Sequence, residues 1–180
     1  MSYLVWLDLE MTGLDPDTDK IIEIATVVTD DNLEIVAVGP NIVIKQSIDV
    51  LENMDNWNTS HHTRSGLVSE VKASEFNEKM AENATLKFLR QYIEEGMSPL
   101  CGNTIGQDRR FLCNYMPELA NFFHYRNLDV TSLKILANMW RNDLSIQEKN
   151  ASKHRALDDV YDSITELKFY REHLINTSKK

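Results

Sequence analysis

Val5-Trp6-Leu7-Asp8-Leu9-Glu10-Met11-Thr12-Gly13-Leu14 is the stretch that decides how this chain reads. It is an apolar run that gains two carboxylates two residues apart and then breaks at Thr12-Gly13. In a β-strand, residues i and i+2 share a face, so Asp8 and Glu10 project together. Like charges so placed repel unless a cation lies between them. Oxygen donors of this kind suit hard divalent ions such as Mg²⁺ or Mn²⁺. The spacing also fits an edge strand with an acidic outer face, so the rest of the chain has to decide.

Working outward, residues 3–9 read as a strand, followed by a β-branched strand over 21–30, a turn at Asp30-Asp31-Asn32, a strand over 33–38 and another over 42–45. The first 46 residues are thus expected to form a β-meander with Asp8 and Glu10 on its first strand. Residues 47–82 are polar and irregular and read as short helices and loops, with Trp57 and His62 in a loop. Helix spacing of Leu86, Leu89 and Ile93 predicts a helix over 85–95 that stops at Gly96. Pro99 to Asn103 reads as a buried strand. Asp108 then falls where the next helix starts, either as a plain N-cap or as a functional carboxylate at a strand–helix junction. Pro117 starts a helix through Phe123, and 127–130 read as a short strand. Thr131 or Ser132 is placed to cap the helix carrying Leu133, Leu136, Ala137 and Trp140.

Residues 141–153 read as a loop, and the last helix as 155–175. At about 100° per residue, Ala156, Val160, Ile164 and Leu167 share a face. Asp159 lies at the edge of that face and Asp158 nearly opposite. His154 sits at or just before the first turn.

The totals set bounds. A chain of 180 residues with 42% hydrophobic and 26% charged residues fits one domain with a sizeable core, here 1–180 with 175–180 as a frayed tail. No basic leader or membrane-length apolar run is apparent, so a cytoplasmic protein without a membrane partner is expected. Cys101 and Cys113 lack CxxC or zinc spacing and read as two reduced core thiols. A net charge of −9 argues against a broad electrostatic grip on long nucleic acid, though not against a short one held by a few contacts and a metal.

Asp8, Glu10, Asp108 and Asp159, with His154 beside the last, are individually weak signals. Together the motifs Asp8-x-Glu10 with Thr12-Gly13, Asn103 through Asp108, and His154-x-Ala156-x-x-Asp159 resemble the DEDD superfamily of 3′→5′ exonucleases, histidine subtype. The runs at 6–14, 102–112 and 124–130 look like the oligoribonuclease family within it. That family commonly has Ser where this chain has Thr104, and Ser-Thr where it has Thr131-Ser132; both changes keep a hydroxyl.

The resemblance implies an α/β, RNase H-like fold, a mixed β-sheet with surrounding α-helices in a single domain. It also implies a homodimer and hydrolysis of very short RNAs, especially linear dinucleotides, from the 3′ end to 5′-mononucleotides. Asp8, Glu10, Asp108 and Asp159 would hold two divalent metal ions, Mg²⁺ or Mn²⁺, roughly 3.5–4 Å apart. One would lower the pKa of the attacking water and the other would neutralise charge on the departing 3′ oxygen. His154 would be the general base, its ordinary pKa near 6.5 suiting neutral pH. Leu14 and Trp57 would wedge and stack against the bases, and His62 would contact the substrate near the scissile end. Thr104 would add a polar contact. Arg126, Thr131 and Ser132 would cap the 5′ phosphate, with Tyr125 supplied by the partner subunit. Two rival readings share parts of this pattern: a general 3′→5′ exonuclease on longer DNA or RNA, and a non-catalytic nucleic-acid-binding module of the same fold.

Overall fold

A computed structural model describes residues 3–141, 143–144 and 155–175. His154, most of the expected 141–153 loop and the tail beyond 175 lie outside these described residues. Among the described residues, six strands form one mixed sheet in the order β3-β2-β1-β5-β6, with β4 also paired to β2. The strands are β1 (Leu4–Met11), β2 (Ile21–Thr29), β3 (Ile35–Val38), β4 (Ile42–Val43), β5 (Leu100–Gly102) and β6 (Asn127–Asp129). The helices are α1 (Ile48–Glu52), α2 (Asn56–Arg64), α3 (Leu67–Ala73), α4 (Glu78–Leu89), α5 (Gly106–Tyr115), α6 (Pro117–Phe122), α7 (Val130–Trp140) and α8 (Ala156–Tyr170), the last running on into a wider π-type turn, Arg171–Ile175.

The meander forms as expected. β1 pairs antiparallel with β2, Asp8 opposite Ala25 and Glu10 opposite Glu23. β1 and β5 run parallel, as do β5 and β6. Helices cover both faces. One core layer joins Val5, Leu7 and Leu9 to Leu86, Leu89, Phe111 and Leu112; the other joins Trp6, Ala25 and Val27 to Val130, Val160 and Ile164. Burial on both faces explains why β2 is buried along its whole length and reads as a continuous apolar run.

Five local expectations need correction. Cys113, expected in the core, is exposed on α5, whereas Cys101 is buried. Trp57 and His62 lie in α2 and not in a loop. The Asp55 side chain accepts the Asn58 N–H at 2.7 Å and starts a helix whose sequence has no apolar period to announce it. The helix expected over 85–95 starts at Glu78, capped by Asn77, and ends at Leu89. Two of its buried positions are polar, Glu82 and Thr85, which hides its first half from a periodicity argument. Glu82 is buried because its Oε1 accepts the Glu118 and Leu119 N–H groups at the start of α6. Asp108 is not an N-cap; it sits inside the first turn of α5. The cap of α7 is Asp129, whose Oδ1 accepts the Thr131 N–H at 3.0 Å, so neither Thr131 nor Ser132 serves.

The loop after β1 is held tightly to α5. Thr12 Oγ1 donates to Asp19 Oδ1, and the Asp15 N–H donates to Asp19 Oδ2. The Tyr115 hydroxyl reaches the carbonyls of Pro16 and Asp19, at 2.9 and 2.7 Å. A Cβ on Gly13 would stand 2.3 Å from Asp19 Oδ2, so any other residue there has to push the Asp19 carboxylate out of its place in the loop. Gly13→Ala should therefore break the Asp19 bonds and cost about 1–3 kcal/mol in urea denaturation. Gly106→Ala, where the nearest atom is 4.0 Å from the new Cβ, should be neutral or stabilising.

Candidate active site

The parallel strands β1, β5 and β6 end on the same side of the sheet, and Asp8, Glu10, Leu14, Thr104, Thr131 and Ser132 lie on or beyond those ends, as α/β architecture favours, whereas Tyr125 and Arg126 precede β6. Asp8 and Glu10 project from β1 on one face. Asp159 comes from the first turn of α8, the helix packed across β1 and β2. One carboxylate oxygen from each of Asp8, Glu10 and Asp159 lies within 4.8 Å of the others. Asp158 is exposed, as the helical spacing predicts.

Asp108 arrives from α5. The register of β5 on β1 ends at Trp6–Cys101, and beyond it the Leu9 N–H donates to Asp108 Oδ1 at 3.0 Å. Asp108 is 5% exposed, its carboxylate thereby fastened to the strand that carries Asp8 and Glu10.

Electrostatics mark this as a place where negative charge is unfavourable alone. Burial first, then the charges of Asp108, Asp159, Glu10 and Glu23, push the Asp8 carboxyl well above the usual range. Burial, then Asp159, Glu23 and Asp108, push Glu10 up to about 8, against a smaller lowering by Arg155. Burial pushes Asp108 up to about 7, partly offset by the Leu9 N–H. A donor set made only of carboxylate oxygens, crowded and short of countercharge, fits hard divalent cations.

His62 is 1% exposed. Its Nε2 lies 3.0 Å from the Met11 carbonyl oxygen and Nδ1 lies 4.0 Å from Glu10 Oε2. A carbonyl only accepts, so Nε2 carries the proton. The ring thus stands behind Glu10 at the end of β1 and away from the open surface. Leu14 is 73% exposed in the loop after β1, where its carbonyl accepts from Gln107 Nε2. Trp57 is exposed on α2 and stacks on His61 at 3.9 Å between centroids, so it does not plug the core.

A second polar group forms where β5 and β6 end. The Thr104 N–H donates to Asp129 Oδ1 and Thr131 Oγ1, both at 2.9 Å, and Thr131 Oγ1 donates to Asn103 Oδ1. Thr104 holds this place with a left-handed backbone, φ 49°. Ser132 is exposed one residue on. Tyr125 and Arg126 are exposed on the loop before β6, the Arg126 guanidinium 5.3 Å from the Tyr125 ring centroid.

Sequence reasoning missed the parts played by Glu23, Arg155 and Asp129. Glu23 had a legible signal: a lone charge inside Ile-Ile-Glu-Ile-Ala-Thr-Val-Val must find a partner if the strand is buried.

The profile of a family described as RNase T, exonuclease, matches residues 5–167. An oligoribonuclease of Alcanivorax borkumensis is 58% identical over 96% of this chain and 96% of its own. An oligoribonuclease of Coxiella burnetii is 58% identical over 98% and 96%. Among solved structures, E. coli exonuclease I in complex with a dT13 oligonucleotide superposes with a TM-score of 0.73 at 17% identity. It is matched over 96% of this chain, which spans 41% of that longer one. That likeness establishes the fold, an RNase H-like mixed sheet.

The metal-free chain should lose stability as pH rises. Glu10 ionises near 4.5 when unfolded and near 8 when folded, so between these values the unfolded state sheds a proton that the folded state keeps. Its contribution is fully present below about 4.5 and lost as pH passes 8. Melting scans in chelator should show Tm falling over this window, and Mn²⁺ should restore Tm most at the alkaline end.

Proposed function

The chain belongs to the oligoribonuclease family of exonucleases, and from that premise we propose that it is a 3′→5′ exoribonuclease cleaving very short RNAs, linear dinucleotides above all, to 5′-mononucleotides. The observation that carries this is the convergence of Asp8, Glu10 and Asp159 within 4.8 Å at the end of β1. We assign Asp8, Glu10, Asp108 and Asp159 to hold two divalent ions, Mg²⁺ or Mn²⁺. When bound, such ions supply positive charge for the attacking and departing oxygens and a water acidic enough to attack at neutral pH.

The protein's own side chains do the rest. His154 takes the proton from the attacking water at a ring nitrogen. His62 stands at the scissile end behind Glu10. Leu14 and Trp57 wedge and stack against the bases, a contact any base can make. Thr104 adds a hydroxyl. Arg126, Thr131 and Ser132 close around the 5′ phosphate, the planar guanidinium suiting its oxygens. A closed 5′ end sets the length limit, because a longer strand has nowhere to continue.

It also reconciles a nucleic-acid substrate with a net charge of −9, since a dinucleotide offers too few phosphates to need a basic groove. A homodimer is supported by exposed Ile135, Met139 and Trp140 on α7 and by exposed Tyr125, which we assign to the neighbouring subunit's site. We place the enzyme in the cytoplasm; no helix among the described residues is long and apolar enough to cross a membrane.

Turnover of 5′-labelled RNAs of two, three, five and ten nucleotides with Mn²⁺ tests this. Dinucleotide cleavage should be fastest and fall with each added nucleotide. Asp108→Ala should abolish it, and His154→Ala should lower kcat by about 10²–10⁴-fold. Arg126→Ala should lower kcat/KM for the dinucleotide by roughly 10–100-fold while sparing longer RNAs, as charge-assisted bonds contribute about 1.5–3 kcal/mol. Equal cleavage of the ten-mer would favour a general exonuclease, and no metal-dependent cleavage a binding module.

A further inference from the structure

Arg155 is the residue just before α8, and both ends of its guanidinium are occupied. Nε donates to both oxygens of Glu23 at 3.1 Å, and Nη2 reaches Glu23 Oε1 at 2.8 Å. Nη1 and Nη2 also take the two oxygens of Glu70, at 2.9 and 2.8 Å. The Ala156 N–H, at the start of α8, donates to Glu23 Oε2 at 3.1 Å. Glu23 is fully buried on β2. One cation and one helix end therefore converge on a single buried carboxylate, with a second carboxylate from α3 closing the fork.

The position of this clasp matters more than its strength. Glu23 sits directly across from Glu10 in the β1–β2 ladder, and cross-strand partners share a face. Asp159 lies one helical turn beyond Arg155, its N–H bonded to the Arg155 carbonyl at 3.1 Å. Sliding or rotating the start of α8 would therefore carry Asp159 off the cluster. Charge points the same way. Once ionised around a cation, Asp8, Glu10, Asp108 and Asp159 would carry four negative charges, the complement of two divalent ions, and Glu23 would be a fifth.

We propose that Arg155 is a positioning residue for the acidic cluster: clasped by Glu23 and Glu70, it sets the register of α8, holds Asp159 opposite Asp8 and Glu10, and sets its own positive charge against that of Glu23. The proposal rests on the divalent-ion reading of that cluster. Glu70 extends the clasp to α3, which packs on α2, so through α3 the same guanidinium ties the helix bearing Trp57 and His62 to the helix bearing Asp159.

Mn²⁺ titration calorimetry on the folded protein without RNA tests this, alongside kcat and KM for a dinucleotide. Arg155→Lys keeps the charge and loses the fork. It should weaken Mn²⁺ binding by roughly 10–100-fold and lower kcat, leaving KM within about twofold, as for other residues that orient metal ligands. Arg155→Met alone leaves Glu23 buried without its cation and is expected to fold poorly. Combining Glu23→Gln with Arg155→Met removes both charges and should recover Tm without recovering Mn²⁺ affinity. Wild-type affinity and kcat in both Arg155→Lys and the folded double variant would reduce the clasp to a stability element and overturn the proposal. Failure of the wild-type chain itself to bind Mn²⁺ would instead remove the divalent-ion reading, and the proposal with it.

Discussion

Crowded, half-desolvated negative charge at the end of β1 is the constraint on which the rest of the structure depends. Asp8 and Glu10 share a face because a strand has period two, and α8 brings a third carboxylate onto them. A fold selected only for stability would place apolar or paired residues there. Here, neighbouring groups manage the charge locally. The Leu9 N–H takes one oxygen of Asp108, His62 stands behind Glu10, and Arg155 answers Glu23. Burial and crowded like charge hold the Asp8, Glu10 and Asp108 carboxyls above their ordinary range, and a bound divalent cation would relieve that repulsion.

How much of this could be read from the sequence depended on range. Asp8 with Glu10, and Asp159 against Asp158, follow from local periodicity, and the structure has both relations. The β-meander was legible for the same reason. Asp108 was half legible: its place at a strand–helix junction follows from sequence, but its bond to Leu9, across 99 residues, does not. The clasp of Arg155 on Glu23 spans 132 residues and left only the oddity of a lone Glu in an apolar strand. Trp57 was misplaced because α2 is started by one Asp side chain and carries no apolar stripe. Half of α4 was missed because Glu82 and Thr85, both buried, look like solvent-facing residues. The residues proposed for the 5′ phosphate came from resemblance alone; no spacing rule joins Thr104 to Thr131.

The architecture also separates two jobs. The carboxylates sit on rigid elements in the middle and at the edge of the core, where small displacements are resisted by packing. Leu14, Trp57, Tyr125 and Arg126 instead sit exposed on loops or a short helix. Under the proposed reading, chemistry is fixed by the sheet and α8, while substrate length is set by the exposed groups. Changes in the second set can alter which RNA is cleaved without disturbing how.

Anomalous diffraction from crystals grown with Mn²⁺ and an uncleavable dinucleotide would test the central claim most directly. Two Mn²⁺ peaks bracketed by Asp8, Glu10, Asp108 and Asp159, with the scissile phosphate against them, are predicted. Mn²⁺ absent from this cluster while the dinucleotide is bound elsewhere would contradict it.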